Sequence, residues 1–367
     1  MVEKESGVNA AEFSVAYAPY APGMNSPGDR RRFGFYAAAS GITLQEADPG
    51  RDYDLVYLST RADLTAWAKY RGRAKIVFEV IDSYLALPEN DPKNKLRGLA
   101  KYLSGEVSKP ILSYRRALIE MATRADAVVC STEEQKQQLS QFCPNVHIIL
   151  DVHDEVGPMR KEDYCARAPF NLVWEGLAYT LDAFDTIAPA LERIARRHPI
   201  ALHLVTDLHS HRYLGRFWGV DTEKRARRIF KNTFVYQWNP LMLAPIATRC
   251  DLALIPLDLT DPFSRGKPEN KLLLFWRMGM PTITSASPAY DRAMRACGLD
   301  MTCNTLPEWE STIEEYLLTE DLRQQAGSKG ARFAESFHSR GQVFERWEQL
   351  IAATLESPPI GTSTDEN

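Results

Sequence analysis

The sequence lacks the features of membrane-spanning, secreted or nucleic-acid-binding proteins. None of its 367 residues lies in an apolar run of transmembrane length, and the chain does not open on a basic segment followed by an apolar run. The chain has 44 Lys and Arg and 48 Asp and Glu, so its formal net charge is −4. It therefore lacks the excess of positive charge that is typical of nucleic-acid-binding proteins. We therefore expect a cytoplasmic protein with no signal peptide and no nucleic-acid partner. Weak peripheral contact with a membrane stays compatible with this composition.

Paired cysteines and the common phosphate-loop motifs are also missing. The six cysteines form no C-x-x-C pair, and several lie in apolar contexts, so we expect buried free thiols in a reducing compartment, at positions 130, 143, 165, 250, 297 and 303. Neither G-x-G-x-x-G nor G-x-x-x-x-G-K followed by Ser or Thr occurs, which argues against a dinucleotide fingerprint and an NTPase. His209 and His211 share a loop without a cysteine or carboxylate set, so we predict no metal site.

The length and the order of apolar segments predict two α/β domains. Short apolar strands alternate with helical patterns up to Leu150, and the alternation restarts at Phe170 after a polar segment with Gly157 and Pro158. Such alternation is typical of parallel sheets. We predict an N-terminal domain over residues 1–151, a second domain over 152–340, a helix over 341–356 and a disordered tail over 357–367.

The sequence predicts strands and helices in both domains. The predicted strands are Phe13–Tyr17, Ile42–Glu46, Leu55–Ser59, Ala74–Ile81, Ala127–Ser131, Val146–Leu150, Asn171–Gly176, Ala201–Thr206, Phe234–Trp238, Asp251–Leu257 and Thr282–Thr284. The predicted helices include Arg30–Ser40, Asp182–Arg197, a helix from Pro268 to the cap at Gly279, and Phe344–Leu355.

The stretch from Asp251 to Ser287 is the strongest indication of a binding site. It reads as a strand, a polar loop, a helix and a second strand, so its loop lies at the carboxyl edge of a parallel sheet, where open α/β sheets bind ligands. The loop brings four basic and amide side chains to the start of a helix, namely Arg265, Lys267, Asn270 and Lys271. Free N–H groups at a helix start, together with lysines, favour the binding of a phosphate. The alternative is a solvated basic turn before a buried helix.

The same stretch resembles a known family. The run DLALIPLD, a loop and then KPENKLLLFWRMGMPTITSAS resemble the C-terminal half of GT-B glycosyltransferases of the group 1 type, whose helix commonly starts Asn-Lys-Leu-Leu-Glu. The resemblance is strong over roughly Phe170–Phe337 and weaker before it. It implies two Rossmann-like parallel-sheet domains facing across a cleft, with a final helix that returns to the first domain.

The resemblance also implies an activity. Members of the family transfer a sugar from a nucleotide-sugar donor to a glycan, lipid or small-molecule acceptor, with retention, without a bound metal and without a cofactor. The partners implied are a nucleotide sugar and a carbohydrate or glycoconjugate, and the role implied is polysaccharide or glycoconjugate biosynthesis. The donor sugar, the nucleotide base, the acceptor and the oligomeric state are not specified by the sequence.

Several site residues follow from the resemblance. The loop and helix start hold the donor diphosphate, and the turn at Gly176 faces the same phosphates. Trp238 ends a later strand where the nucleotide base is contacted, although a buried core tryptophan is the more common outcome. The family usually holds the ribose with a glutamate at the position of Leu274, and its earlier glutamate falls on Gly266. Glu269 is one candidate for the ribose contact.

In the first half, two loops carry candidate acceptor-side residues. Gly23, Asn25 and Gly28 follow the first strand, where glycines let backbone N–H groups approach an acceptor or a phosphate; the alternative is a flexible turn. Asp82 ends the strand IVFEVID and can orient or deprotonate an acceptor hydroxyl as the catalytic residue, or simply cap a turn. Glu79 lies within that strand and needs a partner if it is buried.

Three further segments leave alternatives open. The run Arg30–Arg32 either adds charge to the first loop or is a solvated helix face. The polar segment Leu87–Pro110 is a lid, an acceptor-binding insertion or a surface helix pair. The missing carboxylate pair also favours a second hypothesis, a non-catalytic GT-B-like protein that binds a nucleotide or a glycan. A periplasmic-type binding protein is disfavoured by the absent signal peptide and the basic loop.

Overall fold

The computed structural model describes residues 13–87, 92–105, 107–211 and 219–356, so the predicted tail over 357–367 lies outside the described residues. The chain divides into two compact units. One contains the residues up to Val152 together with those from Arg340 onward, and the other is His153–Ser339.

The first unit is built on a parallel sheet. Its strands, in the described part of the chain, are β1 Val15–Ala18, β2 Leu44–Glu46, β3 Leu55–Leu58, β4 Lys75–Val80, β5 Ala127–Cys130 and β6 Val146–Ile148. They pair in the order β2-β1-β3-β4-β5-β6, and every pairing is parallel. The chain thus moves outward from β1 to β2 and then returns to the other side of β1.

Helices cover the sheet of the first unit. They are α1 Pro27–Arg31, α2 Phe33–Ala39, α3 Leu64–Trp67, α4 Pro92–Leu103, α5 Tyr114–Arg124, α6 Glu133–Leu139 and, from the end of the chain, the helix Arg340–Glu356, with 3-10 turns at Pro22–Met24 and Tyr84–Ala86. Alternate strand residues belong to two separate apolar clusters, because side chains alternate across a sheet and both faces are covered. Trp347 of the last helix is fully buried, and its ring lies 5.6 Å from that of Phe33 and 5.7 Å from that of Tyr57.

The second unit repeats the design. Its parallel strands are β7 Phe170–Glu175, β8 Ile200–Thr206, β11 Thr233–Gln237, β12 Leu252–Ile255, β13 Thr282–Ser285 and β14 Thr302–Cys303, in the order β11-β8-β7-β12-β13-β14, and an antiparallel pair, β9 His209–His211 and β10 Gly219–Asp221, lies apart. The helices are α7 Ala188–Ala195, α8 Thr222–Ile229, α9 Pro240–Ala247, α10 Pro262–Arg265, α11 Asn270–Arg277, α12 Pro288–Cys297, α13 Leu306–Leu318 and α14 Glu320–His338, with a 3-10 helix at Ala178–Thr186. The helix Arg340–Glu356 is therefore α15.

The predicted fold class, two Rossmann-like parallel-sheet domains, is confirmed. Several helix boundaries were predicted wrongly. The helix expected from Arg30 is broken at Arg32, whose backbone leaves the helical region (φ −130°, ψ −137°). The helix expected from Asp182 starts as 3-10 turns, and the polar loop before Pro268 contains α10. Gly279 has a φ of +69°, as its predicted role as a left-handed cap requires.

The cysteine prediction is correct for only part of the set. All six cysteines are free, and four are buried, but Cys165 is exposed and Cys297 is half-buried. Cys165 lies in the irregular segment before β7, and Cys297 is the last residue of α12, so both lie at less enclosed positions than the four buried cysteines. None of the described helices combines the length and the apolar content needed to cross a bilayer.

Candidate active site

The basic stretch predicted as a phosphate site lies at the point where the strand order of the second sheet reverses. The chain runs outward from β7 through β8 to β11 and then returns to β12 on the other side of β7. Open α/β sheets bind ligands outside the carboxyl ends of the two strands at such a reversal. Gly176 directly follows β7, and the segment carrying Arg265 and Lys267 follows β12.

Lys271 reaches across to the end of β7. Its Nζ lies 4.7 Å from the ring centroid of the buried Trp174. A Cβ atom on Gly176 would lie 2.6 Å from that Nζ and 2.5 Å from Cζ2 of the indole. Both distances are shorter than the non-bonded contacts that Cβ atoms make in proteins. Glycine at 176 is therefore what allows the ammonium group to sit over the indole face, a favourable cation–π arrangement. The result is a fixed positive charge at the carboxyl edge of the sheet.

The rest of the basic loop leads into α11. Arg265 ends α10 and is exposed, while Lys267 is half-buried with its Nζ 4.5 Å from the ring centroid of Phe263. Asn270 is the first residue of α11, and His153 Nε2 donates to its carbonyl oxygen at 3.1 Å. Glu269 does not cap the first turn of α11 with its side chain. The sequence-predicted residues are thus brought together at one helix start, where the helix dipole and the cationic side chains favour an anion.

Two carboxylates lie on the same side of the second unit. Glu175 is 7% exposed, and its Oε1 accepts the indole N–H of Trp238 at 3.0 Å. Burial, and then the charges of Glu269 and Glu175, raise the pKa of the buried Tyr290. Trp238 is half-buried and not a closed core residue. Glu175 belongs to the turn that the resemblance places towards the donor phosphates, but its contact with Trp238 was not predicted.

The position at which the resembling family carries its ribose glutamate points into the core. Leu274 is 1% exposed and lies in a run of buried residues over 272–276 of α11. Gly266, at the earlier glutamate position, is the C-cap of α10. Neither position offers a carboxylate. Glu175 directly precedes Gly176, and Glu269 directly precedes α11, so both are acidic groups beside the predicted phosphate residues.

In the first unit, the loop after β1 also lies where the strand order reverses, between β1 and β3. Its backbone N–H groups bind an internal carboxylate. Asp29, 2% exposed, accepts from the N–H of Tyr20 at 2.8 Å and from those of Ala21 and Ser26 at 3.2 Å, and from the hydroxyl of Tyr17 at 2.7 Å. The anion that this loop binds is thus supplied by the chain itself.

Glycine is required at two positions of that loop, by the backbone conformation at Gly23 and by close packing at Gly28. Gly23 has a φ of +75° and open space around it, so the backbone conformation requires it. Gly28 packs against a ring, since a Cβ there would lie 2.6 Å from Cδ2 of Tyr20. Asn25 is exposed, and its carbonyl oxygen accepts from Arg30 Nη1. Of the three residues, only Gly23 and Asn25 are exposed to solvent.

A buried ion network below the loop was not predicted. Arg32 is 1% exposed and bonds Glu79 through Nε at 2.6 Å, Asp151 through Nη1 at 2.8 Å and the Ile149 carbonyl through Nη2 at 2.7 Å. Tyr20 donates its hydroxyl to the other oxygen of Glu79 at 2.7 Å. Arg32 is therefore neither a solvated helix face nor a free loop charge. The one signal in the sequence was Glu79, a carboxylate inside an apolar strand that had to have a partner.

Asp82 lies just beyond β4 and is half-buried. Its Oδ2 accepts from the hydroxyl of Tyr84 at 3.4 Å, and the 3-10 turn that follows is preceded by Ser83. Asp82 therefore does not cap that turn with its side chain from the N-cap position. Among the described residues, no group of three or more His, Cys, Asp and Glu side chains is arranged to hold a metal ion.

The structure was compared with known proteins. No family model and no curated protein matches the sequence. Anabaena HepE in complex with UDP and glucose is similar with a TM-score of 0.59 and 12% identity, over 94% of this chain and 100% of that one. A glycosyltransferase from Rickettsia africae gives a TM-score of 0.58 and 10% identity, over 94% and 98%.

A variant of S. aureus TarM in complex with fondaparinux, alpha-GlcNAc-glycerol and UDP gives a TM-score of 0.56 and 10% identity. That match covers 83% of this chain, which spans 55% of the TarM chain. At such identities a structural likeness shows the fold, and the fold is the one that the sequence predicted. The chain has the two Rossmann-like domains of GT-B glycosyltransferases.

Proposed function

We propose that this protein is a glycosyltransferase that moves a sugar from a uridine diphosphate sugar to an acceptor hydroxyl. The observation that carries the proposal is the ammonium group of Lys271, held over Trp174 at the strand-order reversal of the second sheet. The GT-B fold supports it, since the HepE structure contains UDP and glucose. We further propose retention of anomeric configuration, no requirement for a metal, and a carbohydrate or glycoconjugate acceptor.

The donor-side residues have separate roles in this proposal. In the transfer, the bond between the anomeric carbon and the terminal phosphate oxygen breaks and its electron pair stays on the diphosphate. A bond from that carbon to the acceptor oxygen forms, and the acceptor proton passes to a base, the role proposed for Asp82. The diphosphate gains negative charge as it departs, and Lys267, Lys271 and the first turn of α11 stabilise that charge. Arg265 and Asn270 complete the phosphate site, and Gly176 keeps it open.

The nucleoside and the acceptor are assigned to other residues. Glu269 binds the ribose hydroxyls, and Trp238 offers its indole to the base, with its ring held by Glu175. On the acceptor side, Asp82 orients or deprotonates the hydroxyl, and the loop with Gly23, Asn25 and Gly28 is assigned to the acceptor. Gly28 contributes through its packing against Tyr20.

A thermal-shift and calorimetric titration with UDP and UDP sugars tests the proposal, with GDP, TDP and ADP for comparison. A ligand that binds only the folded chain raises its melting temperature. Lys271→Ala removes a charged hydrogen bond worth about 1.5–3 kcal/mol, so UDP affinity is expected to fall about 10- to 100-fold. The exposed Lys231→Ala serves as the matched control. Unchanged UDP affinity in a folded Lys271→Ala variant would remove this residue from the site.

A second candidate function is nucleotide binding without transfer. It is favoured by the buried Leu274, which leaves the family's ribose carboxylate absent from its usual position. Hydrolysis or transfer from a panel of nucleotide sugars separates the two. UDP binding with no turnover of any sugar nucleotide, over a range of glycan acceptors, would favour the non-catalytic protein.

A further inference from the structure

The region from α4 to the start of α5 exposes apolar side chains in an unusual concentration. Of the fourteen large apolar side chains that are exposed among the described residues, five lie between positions 96 and 112. Leu96, Leu99 and Leu103 are 60%, 48% and 76% exposed, and Leu112, in the link to α5, is 84% exposed. Positions three and four apart lie on one face of a helix, so the three leucines of α4 form a single exposed stripe.

The same helix buries a lysine. Lys101 is 8% exposed, its Nζ donates to the carbonyl oxygen of Thr60 at 2.7 Å, and it lies 5.3 Å from the ring centroid of Tyr114. An ordinary surface helix of a globular protein turns its leucines inward and its lysines outward. In α4, Leu96, Leu99 and Leu103 are exposed and Lys101 is buried. The bond from Lys101 to Thr60 holds the helix in this orientation. The leucine stripe is therefore exposed because the contacts of Lys101 set the rotation of α4 about its axis.

The charge of this segment is opposite to that of the chain. Residues 92–116 contain seven Lys and Arg and one Glu, a net charge of +6 in a chain whose formal net charge is −4. Exposed apolar side chains among basic ones are the pattern of a helix that lies in a membrane interface, where leucines enter the acyl boundary and cations meet anionic headgroups. A nucleic acid would match the charge but leave the leucines in water. A second copy would bring two segments of like charge together.

We propose that α4 and the link to α5 form a docking surface for an anionic phospholipid bilayer. The leucine stripe supplies the apolar contact, and exposed basic residues, among them Lys109 and Arg116, supply the attraction to the headgroups. The interaction is peripheral and salt-dependent. It does not rest on the proposed transferase activity.

Flotation of the full-length chain with lipid vesicles tests the proposal. The chain is expected to float with vesicles of phosphatidylcholine and phosphatidylglycerol in equal parts, much less with phosphatidylcholine alone, and to be released at about 1 M salt, where the Debye length is about 3 Å. The double variant Leu96→Ser with Leu103→Ser should bind at least about tenfold more weakly, because two apolar side chains no longer leave water. Lys109→Glu should also weaken binding.

The matched control is Leu241→Ser with Leu318→Ser, two leucines that are 75% and 67% exposed in the second unit. It is expected to bind vesicles like the parent chain. Because all four leucines are exposed, both double variants should keep the parent's unfolding transition. Absence of binding to anionic vesicles at low salt, equal binding of the Leu96 and Leu103 double variant, or self-association that this variant abolishes without any vesicle binding would each overturn the proposal.

Discussion

At the scale of single residues, the proposed donor site depends on the close approach of two side chains beside a glycine. Trp174 provides a flat, buried face, Lys271 lies over it, and Gly176 leaves the space that both need. Each was visible in the sequence, but only Lys271 and Gly176 were predicted as site residues. Trp174 is a buried core tryptophan, 2% exposed. Its further role, orienting a cation, follows from the contact and not from its burial.

Gly176→Ala is therefore expected to weaken UDP binding while the chain stays folded. A methyl group at this position would meet Nζ of Lys271 at 2.6 Å and the indole of Trp174 at 2.5 Å, so the lysine must move away from the strand end. We expect a loss of about tenfold or more in affinity, measured by calorimetry. Gly157→Ala, where no atom lies within 4 Å of the added Cβ, is the control. Equal affinities for the two variants would contradict the role given to Gly176.

His203 gives a second prediction at this scale. Its Nδ1 lies 3.0 Å from the Tyr236 hydroxyl and its Nε2 lies 2.9 Å from Asn171 Oδ1, which fits a neutral ring that accepts from the tyrosine and donates to the amide. Burial lowers the pKa of His203. The unfolded chain therefore binds the proton more readily, and the stability from the neutral ring is present above about pH 6.5 and lost as the pH falls towards the folded pKa.

The measurement is denaturant unfolding of the parent chain and His203→Gln between pH 5 and pH 8. The parent should lose stability as the pH falls, and the variant should lose less over the same range. Some dependence should persist in the variant, because burial and then Lys136 also lower the pKa of His147. A variant whose stability falls as steeply as that of the parent would show that His203 is not a source of this dependence.

At the scale of elements, α11 has two ends with different functions. Its first residues, Asn270 and Lys271, follow the basic loop at the edge of the sheet. The following residues, Leu272–Trp276, are all buried. The hydrophobic run in the sequence predicted this burial correctly. It also explains why the family's glutamate is missing without leaving a polar gap. Position 274 belongs to the core here, so the proposed nucleotide site assigns the ribose to Glu269, nearer the helix start.

Leu274→Glu is expected to destabilise the second unit by several kcal/mol at neutral pH, because an unpaired carboxylate would be placed where the native side chain is 1% exposed. Leu274→Met, which nearly conserves volume, should cost less than about 1.5 kcal/mol. Urea unfolding of the two variants gives the comparison. Similar midpoints for both would mean that the side chain at 274 reaches water.

The sequence predicted elements better than their ends. Period and composition identified β7, β8, β12 and α11, because each is a local pattern. The break at Arg32 was not predicted because its cause is not local: the guanidinium turns inward to Glu79, 47 residues further along the chain. The site shows the same division. The basic loop was visible as a motif, whereas the pairing of Glu175 with Trp238 joins residues 63 positions apart.

At the scale of the whole molecule, the two units have separate cores, and the first is completed by the last helix. Trp347 fills a pocket of aromatic rings, with Phe33, Tyr36 and Tyr57 around it. Trp347→Ala is expected to destabilise the first unit by about 3–5 kcal/mol. Hydrogen exchange should accelerate in β1 and β3 and stay slow in β7 and β8. Uniform acceleration in both sheets would show instead that the units unfold as one.

The place of α15 in the first unit also sets an order of events during synthesis. A ribosome makes the six strands of the first sheet early, but it reaches Trp347 only after all residues of the second unit have been made. Domains usually fold as they emerge, the N-terminal one first. Here the rings of Phe33, Tyr36 and Tyr57 lack their contact with Trp347 until the end of synthesis, whereas the second unit can already fold. The domain that begins first is thus the one that finishes last, and nascent chains stalled before residue 340 should expose that aromatic surface to chaperones.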